Sequence, residues 1–434
     1  MKKRITLLLL SALLLANVTA CNTAPETNNE STLEDANTTA SITEKSDKDN
    51  DRSDLTMLVS VGSEALQFTS NGDGTCSVSK LTDDSFGTNK LDVTILSHSP
   101  DGDLVTRIEK DAFRACKNLV RITIADSVSQ IDPFAFSYCT SLIEVNLPND
   151  IEQISEYTFH SCNKLRSVEI PQSVLRIEES AFSCCTELSN LNFLGGVSYI
   201  GHDAFACCES LQTIILPEGL ERMGRYVFAD CDNLKRVTLP STLIDIGYSI
   251  FVNCTELEQI ESYSDMYLVT PGNCIIETAT GSLIAAWGNF SLPEDGSVLK
   301  ICANAFRASS NLTTLTLPQS TKMIDAHAFS SCKTLKTIIL SPNLLEIGQE
   351  AFIYCESLTE ISIPQGVEAL NRNLFADCNN LASIMLPDSI TEIDSEAFGR
   401  LKNVTVYYQG TPSEWQILSK NLKNIDSLHI IFDN

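Results

Sequence analysis

Hydrophobic residues recur along this chain with a period of 23 residues. In one copy, AFIYCESLTEISIP (351–364), apolar residues stand at intervals of three from Phe352 to Ile361, and Ile363 follows two residues later. Intervals of three suit a turn of 3₁₀- or α-helix, whereas an interval of two marks a short strand with one face inward. Each repeat is therefore predicted to contain a helical turn, a bend, a short strand and a return loop.

Twelve copies of this pattern lie in phase along the sequence. Their phenylalanines are Phe113, Phe136, Phe159, Phe182, Phe205, Phe228, Phe251, Phe306, Phe329, Phe352, Phe375 and Phe398. One repeat cannot bury its own apolar face, but stacked repeats can, because each strand pairs with the strands above and below it. The pattern predicts a curved α/β repeat solenoid of about twelve rungs, with one short parallel strand in each rung.

The repeat is interrupted once, between Phe251 and Phe306. The interrupting residues, 266–297, contain two strand-like runs on either side of residues 279–281, and this arrangement predicts a β-hairpin. The insert has two interpretations. It is either a divergent rung with a structural role or a loop that binds a ligand through Trp287.

The two ends of a solenoid expose apolar core and unpaired strand edges, so the flanking segments are expected to be caps. Strand-like alternation surrounds residues 71–74, and Tyr407, Tyr408 and Trp415 are bulky enough to cover the last rung. The predicted divisions are an N-terminal β cap (55–104), repeats 1–7 (105–265), the insert (266–297), repeats 8–12 (298–403) and a C-terminal cap (404–434).

The N-terminus carries a positively charged start at residues 2–4 and an apolar run at residues 7–16. That run is too short to span a bilayer and is typical of a signal peptide, predicted here over residues 1–20. It ends at the sequence VTAC, which resembles the bacterial lipobox, whose cysteine receives diacylglycerol. We therefore predict lipidation of Cys21. Ordinary cleavage after Ala20, with Cys21 unmodified, is the alternative.

Residues 21–54 contain no aromatic residue and only Leu33 and Ile42 as large aliphatic residues. Such a segment cannot bury enough apolar surface to offset its ordering entropy, so we expect a disordered, lipid-anchored tether. The whole chain has a formal net charge of −26. A surface this acidic repels phosphate backbones and anionic lipid heads, which excludes nucleic acid as a partner and leaves the lipid anchor as the expected membrane contact.

The consensus A-F-x-x-C-x-x-L-x-x-I-x-I-P resembles the BspA-type leucine-rich repeat family of bacterial and protozoan surface proteins, over residues 105–405. Ser309 and Leu401 depart from it at the cysteine position. The resemblance implies a leucine-rich repeat solenoid, a location at the bacterial cell surface or outer membrane, and adhesion to matrix or plasma glycoproteins.

Ten of the sixteen cysteines occupy one position of the repeat, where a thiol is a small, soft hydrophobe that fills a narrow strip of core. The spacing lacks the paired cysteines and nearby histidines of a zinc site, and no histidine holds a fixed position beside a cysteine as a catalytic base. No metal, cofactor or catalytic residue is therefore expected. Cys184 and Cys207 hold equivalent positions in neighbouring rungs, and a disulfide between them remains open.

The outward positions of the predicted strands flank the first inward residue of each strand. They are mostly small and polar, and aromatic residues are missing from them. An ordinary solvated sheet face is one interpretation, and a broad, shallow protein-binding surface is the other. The candidate partner-binding residues are Thr213, Ile215, Arg236, Thr238, Thr337, Ile339, Glu360, Ser383 and Met385.

These observations favour a lipid-anchored cell-surface protein that is not an enzyme and that binds protein or glycoprotein macromolecules as a monomer. Adhesion to host or neighbouring-cell macromolecules is the first hypothesis. The alternative is a non-adhesive scaffold that organises the glycans or proteins of the cell's own envelope.

Overall fold

The fold is a stack of 23-residue rungs, described in a computed structural model for residues 58–81, 89–423 and 425–432. Strands of consecutive rungs pair in parallel with a shift of 23 residues, as Thr213 does with Arg236, which confirms the predicted repeat solenoid. The predicted signal peptide, Cys21 and the predicted tether lie outside the described residues.

Five strands precede the first full rung. They are β1 (Leu58–Val61), β2 (Leu66–Ser70), β3 (Thr75–Leu81), β4 (Lys90–Ile95) and β5 (Leu104–Ile108), with a 3₁₀ turn at Ser63–Ala65. Strands β2 and β3 are antiparallel around residues 71–74. Strands β4 and β5 pair in parallel with the first strands of the repeats, so this segment continues the sheets of the solenoid.

Each rung contributes two strands, a longer one and one of two residues. In the first array the longer strands are β6 (Leu119–Ile124), β8 (Glu144–Asn146), β10 (Ser167–Ile170), β12 (Asn190–Phe193), β14 (Thr213–Ile215), β16 (Arg236–Leu239) and β18 (Gln259–Ser262). The shorter strands are β7 (Gln130–Ile131), β9 (Gln153–Ile154), β11 (Arg176–Ile177), β13 (Tyr199–Ile200), β15 (Arg222–Met223) and β17 (Asp245–Ile246). The prediction of one strand per rung is wrong, because two residues are too few to show an alternation in the sequence.

The insert forms three antiparallel strands: β19 (Tyr267–Thr270), β20 (Cys274–Glu277) and β21 (Ser282–Ala286). Strand β21 then pairs in parallel with β22 (Lys300–Ile301), the first short strand of the second array. The insert is therefore joined to the following rungs by a sheet.

The second array repeats the two-strand rung. Its longer strands are β23 (Thr314–Thr316), β25 (Thr337–Ile339), β27 (Glu360–Ser362), β29 (Ser383–Leu386) and β31 (Val404–Tyr408). Its other short strands are β24 (Met323–Ile324), β26 (Glu346–Ile347), β28 (Ala369–Leu370) and β30 (Glu392–Ile393).

The chain then forms helix α1 (Pro412–Leu418), 3₁₀ turns at Ser419–Asn421 and Ile425–Ser427, and strand β32 (Leu428–Phe432), which pairs in parallel with β31. A capping box starts α1, because the Thr411 hydroxyl accepts from the Glu414 N–H while the Glu414 carboxylate accepts from the Thr411 N–H. Trp415 of α1 packs against Tyr408, with ring centroids 5.5 Å apart.

The segment that carries each phenylalanine is a turn and not the predicted helix. From the Phe113 rung to the Phe375 rung, the residues two before and two after the phenylalanine have left-handed φ values of 51–63°. These residues interrupt a helix, which requires consecutive right-handed residues. Their amides donate to the next rung instead, as the Tyr138 N–H does to the His160 carbonyl at 2.8 Å. Within the described residues α1 is the single α-helix, so the predicted α/β class is corrected to a nearly all-β solenoid.

The phenylalanines form a column through the core. Their rings stack with centroid separations of 5.1–6.4 Å, from Phe113 to Phe251 and again from Phe306 to Phe398. Because each ring fills the space between two others, every rung depends on its neighbours for its buried contacts.

Candidate functional site

The longer strands place all nine candidate partner-binding residues at outward positions. We call the outward residues of the longer strands the strand face. Inward residues such as Ile214 and Ile338 are buried, and the residues that flank them are exposed or half-buried. Ile215 is the most exposed of the apolar candidates, with 67% of its surface accessible. The nine residues remain candidates, since their positions do not by themselves identify a partner.

The insert separates these residues into two groups. The first group is Thr213, Ile215, Arg236 and Thr238 in β14 and β16, and the second is Thr337, Ile339, Glu360, Ser383 and Met385 in β25, β27 and β29. In the first group Arg236 Nη2 donates to Thr213 Oγ1 at 3.3 Å, so the guanidinium lies along the sheet surface. A single patch containing all nine is therefore not formed.

An apolar row extends the second group to the end of the sheet. Met385 is paired with Tyr407, and Tyr407 is paired with Ile431, so the three side chains lie side by side on the strand face. Ile339 lies on the same face in β25, separated from Met385 by Ser362. We call Ile339, Met385, Tyr407 and Ile431 the apolar row.

The sequence analysis missed Tyr407 and Ile431 as surface residues. It grouped Tyr407 with Tyr408 as cover for the last rung, whereas Tyr408 is buried and Tyr407 is 37% exposed. The signal was present in the segment VTVYY, where Val404, Val406 and Tyr408 alternate as inward residues. A two-residue period places Tyr407 outward and adds an aromatic residue to the strand face.

The repeated cysteines form a second feature, inside the turns. Nine of their thiols lie 2.9–3.4 Å from the carbonyl oxygen of the phenylalanine in the preceding rung, as Cys139 Sγ does from Phe113 O. The thiol donates to a carbonyl oxygen that already accepts a hydrogen bond within its own turn. Phe113 O, for example, also accepts from the Cys116 N–H. Cysteine thus supplies both a small volume and a weak hydrogen-bond donor, which extends the packing role inferred from the sequence.

Burial suppresses the ionisation of several of these thiols. It raises the pKa of Cys332 to about 12 and the pKa of Cys116 to about 11, since a thiolate is disfavoured in an apolar interior. The fully buried Cys139 and Cys162 likewise have a pKa well above the ordinary thiol value. A neutral thiol can donate to a carbonyl, so the raised pKa preserves the hydrogen bond.

Cys184 and Cys207 differ from the repeated cysteines because both are half-buried and lie beside each other in adjacent turns. A hydrogen bond from the Cys207 thiol lowers the pKa of Cys184 below that of an ordinary thiol. The same bond, together with burial, raises the pKa of Cys207. In the structure both are free thiols, and the disulfide stays a prediction.

Oxidation of the folded protein is expected to join Cys184 to Cys207, since one thiol is activated as a nucleophile and the other lies next to it. Protein unfolded without reductant should then show two fewer free thiols than reduced protein, and mass spectrometry should find the two cysteines in one cross-linked peptide. In a Cys184→Ser variant, the unreduced and the reduced protein should show the same number of free thiols. Finding every thiol free after oxidation would contradict the prediction.

The insert changes the turn stack between Phe251 and Phe306. The ring of Phe290 packs against Phe306 with centroids 5.2 Å apart, so Phe290 extends the second phenylalanine column although it is out of phase with the repeat. Trp287 is buried among residues of the first array. Between the two arrays lies a cleft of about 80 Å³, open to solvent and lined by both arrays and by the insert.

Among residues 58–81, 89–423 and 425–432, no group of three or more His, Cys, Asp or Glu side chains is placed to hold a metal ion. The helices of that same part of the chain are too short or too polar to cross a bilayer. Neither result bears on the N-terminal segment.

Comparison with protein families gave one match. The family described as "BspA type Leucine rich repeat region (6 copies)" matches residues 80–202, 106–231, 153–272 and 287–410. These ranges contain both arrays of rungs and, between residues 80 and 410, leave out only residues 273–286 of the insert. The comparison with curated proteins gave no match.

Solved structures give similar solenoids. A leucine-rich cell surface protein from Faecalibacterium prausnitzii A2-165 has a TM-score of 0.67 and 28% identity, over 83% of this chain and 97% of that chain. The pneumococcal vaccine antigen PcpA has a TM-score of 0.61 and 18% identity, over 85% and 96% of the two chains. A leucine-rich repeat protein from Eubacterium ventriosum ATCC 27560 has values of 0.53 and 20%, over 65% and 72%. The last two show a shared fold.

Proposed function

Since the chain belongs to the BspA-type leucine-rich repeat family, we propose that it is a lipid-anchored protein of the bacterial cell surface that binds protein or glycoprotein partners through its strand face. Stacked repeats present extended surfaces of this kind to partners. The similar protein from Faecalibacterium prausnitzii is described as a cell surface protein, which supports the location. Lipid on Cys21 supplies the anchor, and residues 22–54 supply the tether.

The apolar row is the observation that carries this proposal. Its four side chains are all exposed, although most outward residues of the neighbouring strands are polar. Aligned apolar residues on a surface mark interaction sites, and tyrosine is among the residues enriched where binding energy concentrates. Glu360 and Ser383, which are paired with each other beside the row, supply the polar rim of such a site.

Adhesion to host or neighbouring-cell macromolecules is the form of binding that we propose. Brief protease treatment of intact cells should remove the repeats from a surface-displayed protein. In a pull-down, the purified chain should then retain host matrix or plasma glycoproteins. It should not retain components of an envelope extract from its own cells. Retention of self material alone would contradict adhesion and favour an envelope scaffold.

Ile339→Asp is expected to weaken partner binding about tenfold or more, because a charge replaces the most exposed apolar contact of the apolar row. The matched control is Leu345→Asp. Leu345 has the same exposure as Ile339, 58%, but lies in the loop before β26 and outside the strand face. Affinities measured by biolayer interferometry should fall for Ile339→Asp alone, and equal losses for both variants would remove the strand face as the site.

A further inference from the structure

In the rung that precedes the insert, three backbone N–H groups lack the hydrogen bonds that the equivalent groups form in earlier rungs. From the Phe136 rung to the Phe228 rung, three amides per turn donate to the next rung, as the Phe228 N–H does to the Ile250 carbonyl at 3.0 Å. In the Phe251 rung, the equivalent N–H groups of Ser249, Phe251 and Asn253 have no acceptor among the described residues. All three residues line the cleft beside the insert.

The opposite wall of the cleft has the complementary pattern. In later rungs the carbonyls before and after the phenylalanine accept from the preceding rung, as the Ala328 carbonyl does from the Phe306 N–H at 2.9 Å. The equivalent carbonyls of Ala305 and Arg307, which also line the cleft, receive no hydrogen bond from any described residue. One wall therefore presents N–H donors, and the other presents C=O acceptors.

Two buried side chains of the cleft add donors without partners. Ser249 and Trp287 are only 5% and 6% exposed, and neither Ser249 Oγ nor Trp287 Nε1 has a hydrogen-bond partner. A buried donor without an acceptor is costly, and the indole N–H can only donate. Ser249 and Trp287 thus bring unpaired buried donors to the same cleft that holds the free amides.

The charge of the residues that line the cleft also favours a hydrogen-bond acceptor, and in particular an anionic one. Arg307 is the single charged residue among those that line it, in a chain with a net charge of −26. Its Nη1 donates to Tyr226 Oη at 2.9 Å and lies 3.4 Å from Asn304 Oδ1, so the guanidinium is held near the mouth. An anionic group meets no carboxylate among the lining residues.

We propose that this cleft binds the carboxyl terminus of a peptide. The terminal carboxylate accepts from the amides of the Phe251 rung, the Ser249 hydroxyl and Arg307, and the last peptide N–H donates to the Ala305 or Arg307 carbonyl. Backbone that alternates right- and left-handed residues forms concavities that bind anions, and such concavities capture peptide carboxyl termini. Inorganic phosphate has no peptide N–H to pair with the carbonyl wall. The site uses no residue of the strand face, so it does not depend on the proposed adhesion.

The test uses the fluorescence of Trp287 in the full chain. The chain has two tryptophans, so Trp415→Phe leaves Trp287 as the sole reporter. Titration with acetyl-alanyl-alanine should give a saturable change, and its carboxamide should bind at least tenfold more weakly, because the charge-assisted bonds are lost. Equal affinity for acid and amide, binding of inorganic phosphate as tight as that of the acid, or no saturable change would overturn the proposal.

Two variants in this background test the residues. Ser249→Ala and Arg307→Gln should each raise the Kd about tenfold, whereas Ser180→Ala should leave it unchanged. Ser180 is the matched control because it is buried, left-handed and at the same position of its turn, but its N–H donates to the His202 carbonyl. Arg307 is exposed, so its variant also tests the site if Ser249→Ala unfolds. An unchanged Kd for Arg307→Gln, or an equal effect of Ser180→Ala, would contradict the site.

Discussion

Phe205→Ala is expected to lower the free energy of unfolding by about 3–5 kcal/mol. Phe205 is fully buried, and its ring stacks between Phe182 at 5.4 Å and Phe228 at 5.7 Å. Alanine leaves a cavity that the neighbouring rungs cannot close, because hydrogen bonds of the turns and strands hold each rung at a fixed spacing. Urea unfolding followed by circular dichroism measures the loss.

The matched control for this substitution is Phe134→Ala. The ring of Phe134 also stacks on an aromatic ring of the next rung, Tyr157, at 4.8 Å, but it lies half-buried on the outside of the turn. Phe134→Ala should lower the free energy of unfolding by about 1 kcal/mol, which is the range of an exposed aromatic pair. Comparable losses for Phe134 and Phe205 would show that stacking alone, without burial in the column, accounts for the stabilisation.

Alkylation of the folded protein at pH 7 is expected to be roughly a thousandfold slower at Cys332 than at an ordinary free thiol. The thiolate is the reactive form, and burial raises the pKa of Cys332 to about 12. A raised pKa shifts the onset of reactivity to higher pH, whereas the lowered pKa of Cys184 shifts it to lower pH. Cys184 should therefore be labelled first, as a time course with iodoacetamide and mass spectrometry can show.

Two controls accompany the labelling. In guanidinium chloride all thiols should react at similar rates, since unfolding removes burial. Cys207→Ala removes the hydrogen bond that lowers the pKa of Cys184, so labelling of Cys184 at pH 7 should become slower. Labelling of Cys332 as fast as that of Cys184 in the folded protein would contradict the described environment of the cysteine column.

The column residues were predictable because burial imposes the same requirement on every rung. Phe136 and Phe159 stack at 5.3 Å because 23 residues return the chain to the same place in each rung. The pattern of core residues therefore occurs twelve times in the sequence. A substitution in one copy, such as Ser309, leaves the pattern recognisable.

The turn geometry was not predictable, because left-handed residues here are not marked by glycine. Tyr138, Ser161 and Asp377 all adopt left-handed φ values, although side chains disfavour that region. Interrung hydrogen bonds compensate for the local cost, and those bonds join residues far apart in sequence. Spacings of three are common to helices and to such turns, so the pattern could not distinguish them.

The two sites depended on different information. The outward strand residues followed from alternation alone, whereas Tyr407 was not among those predicted because its segment was assigned to the C-terminal cap. The cleft could not be inferred, since it depends on which amides the insert leaves without partners. Trp287 was noted as a ligand-binding alternative, but its buried N–H appears only in three dimensions.

The hydrogen bonds of the turns also give the turn side of the solenoid a net peptide dipole along the stacking axis. In each stack the N–H groups face the C-terminal end and the carbonyls face the N-terminal end. Parallel peptide dipoles add, so each stack has a partial positive charge at its C-terminal end, opposite in sense to an α-helix. At the ends of the strands the direction is reversed, as where the Glu178 N–H donates to the Ile154 carbonyl at 2.9 Å. The electric polarity therefore belongs to the turn side of the solenoid, is opposed on its strand sides, and is independent of the ionisable side chains.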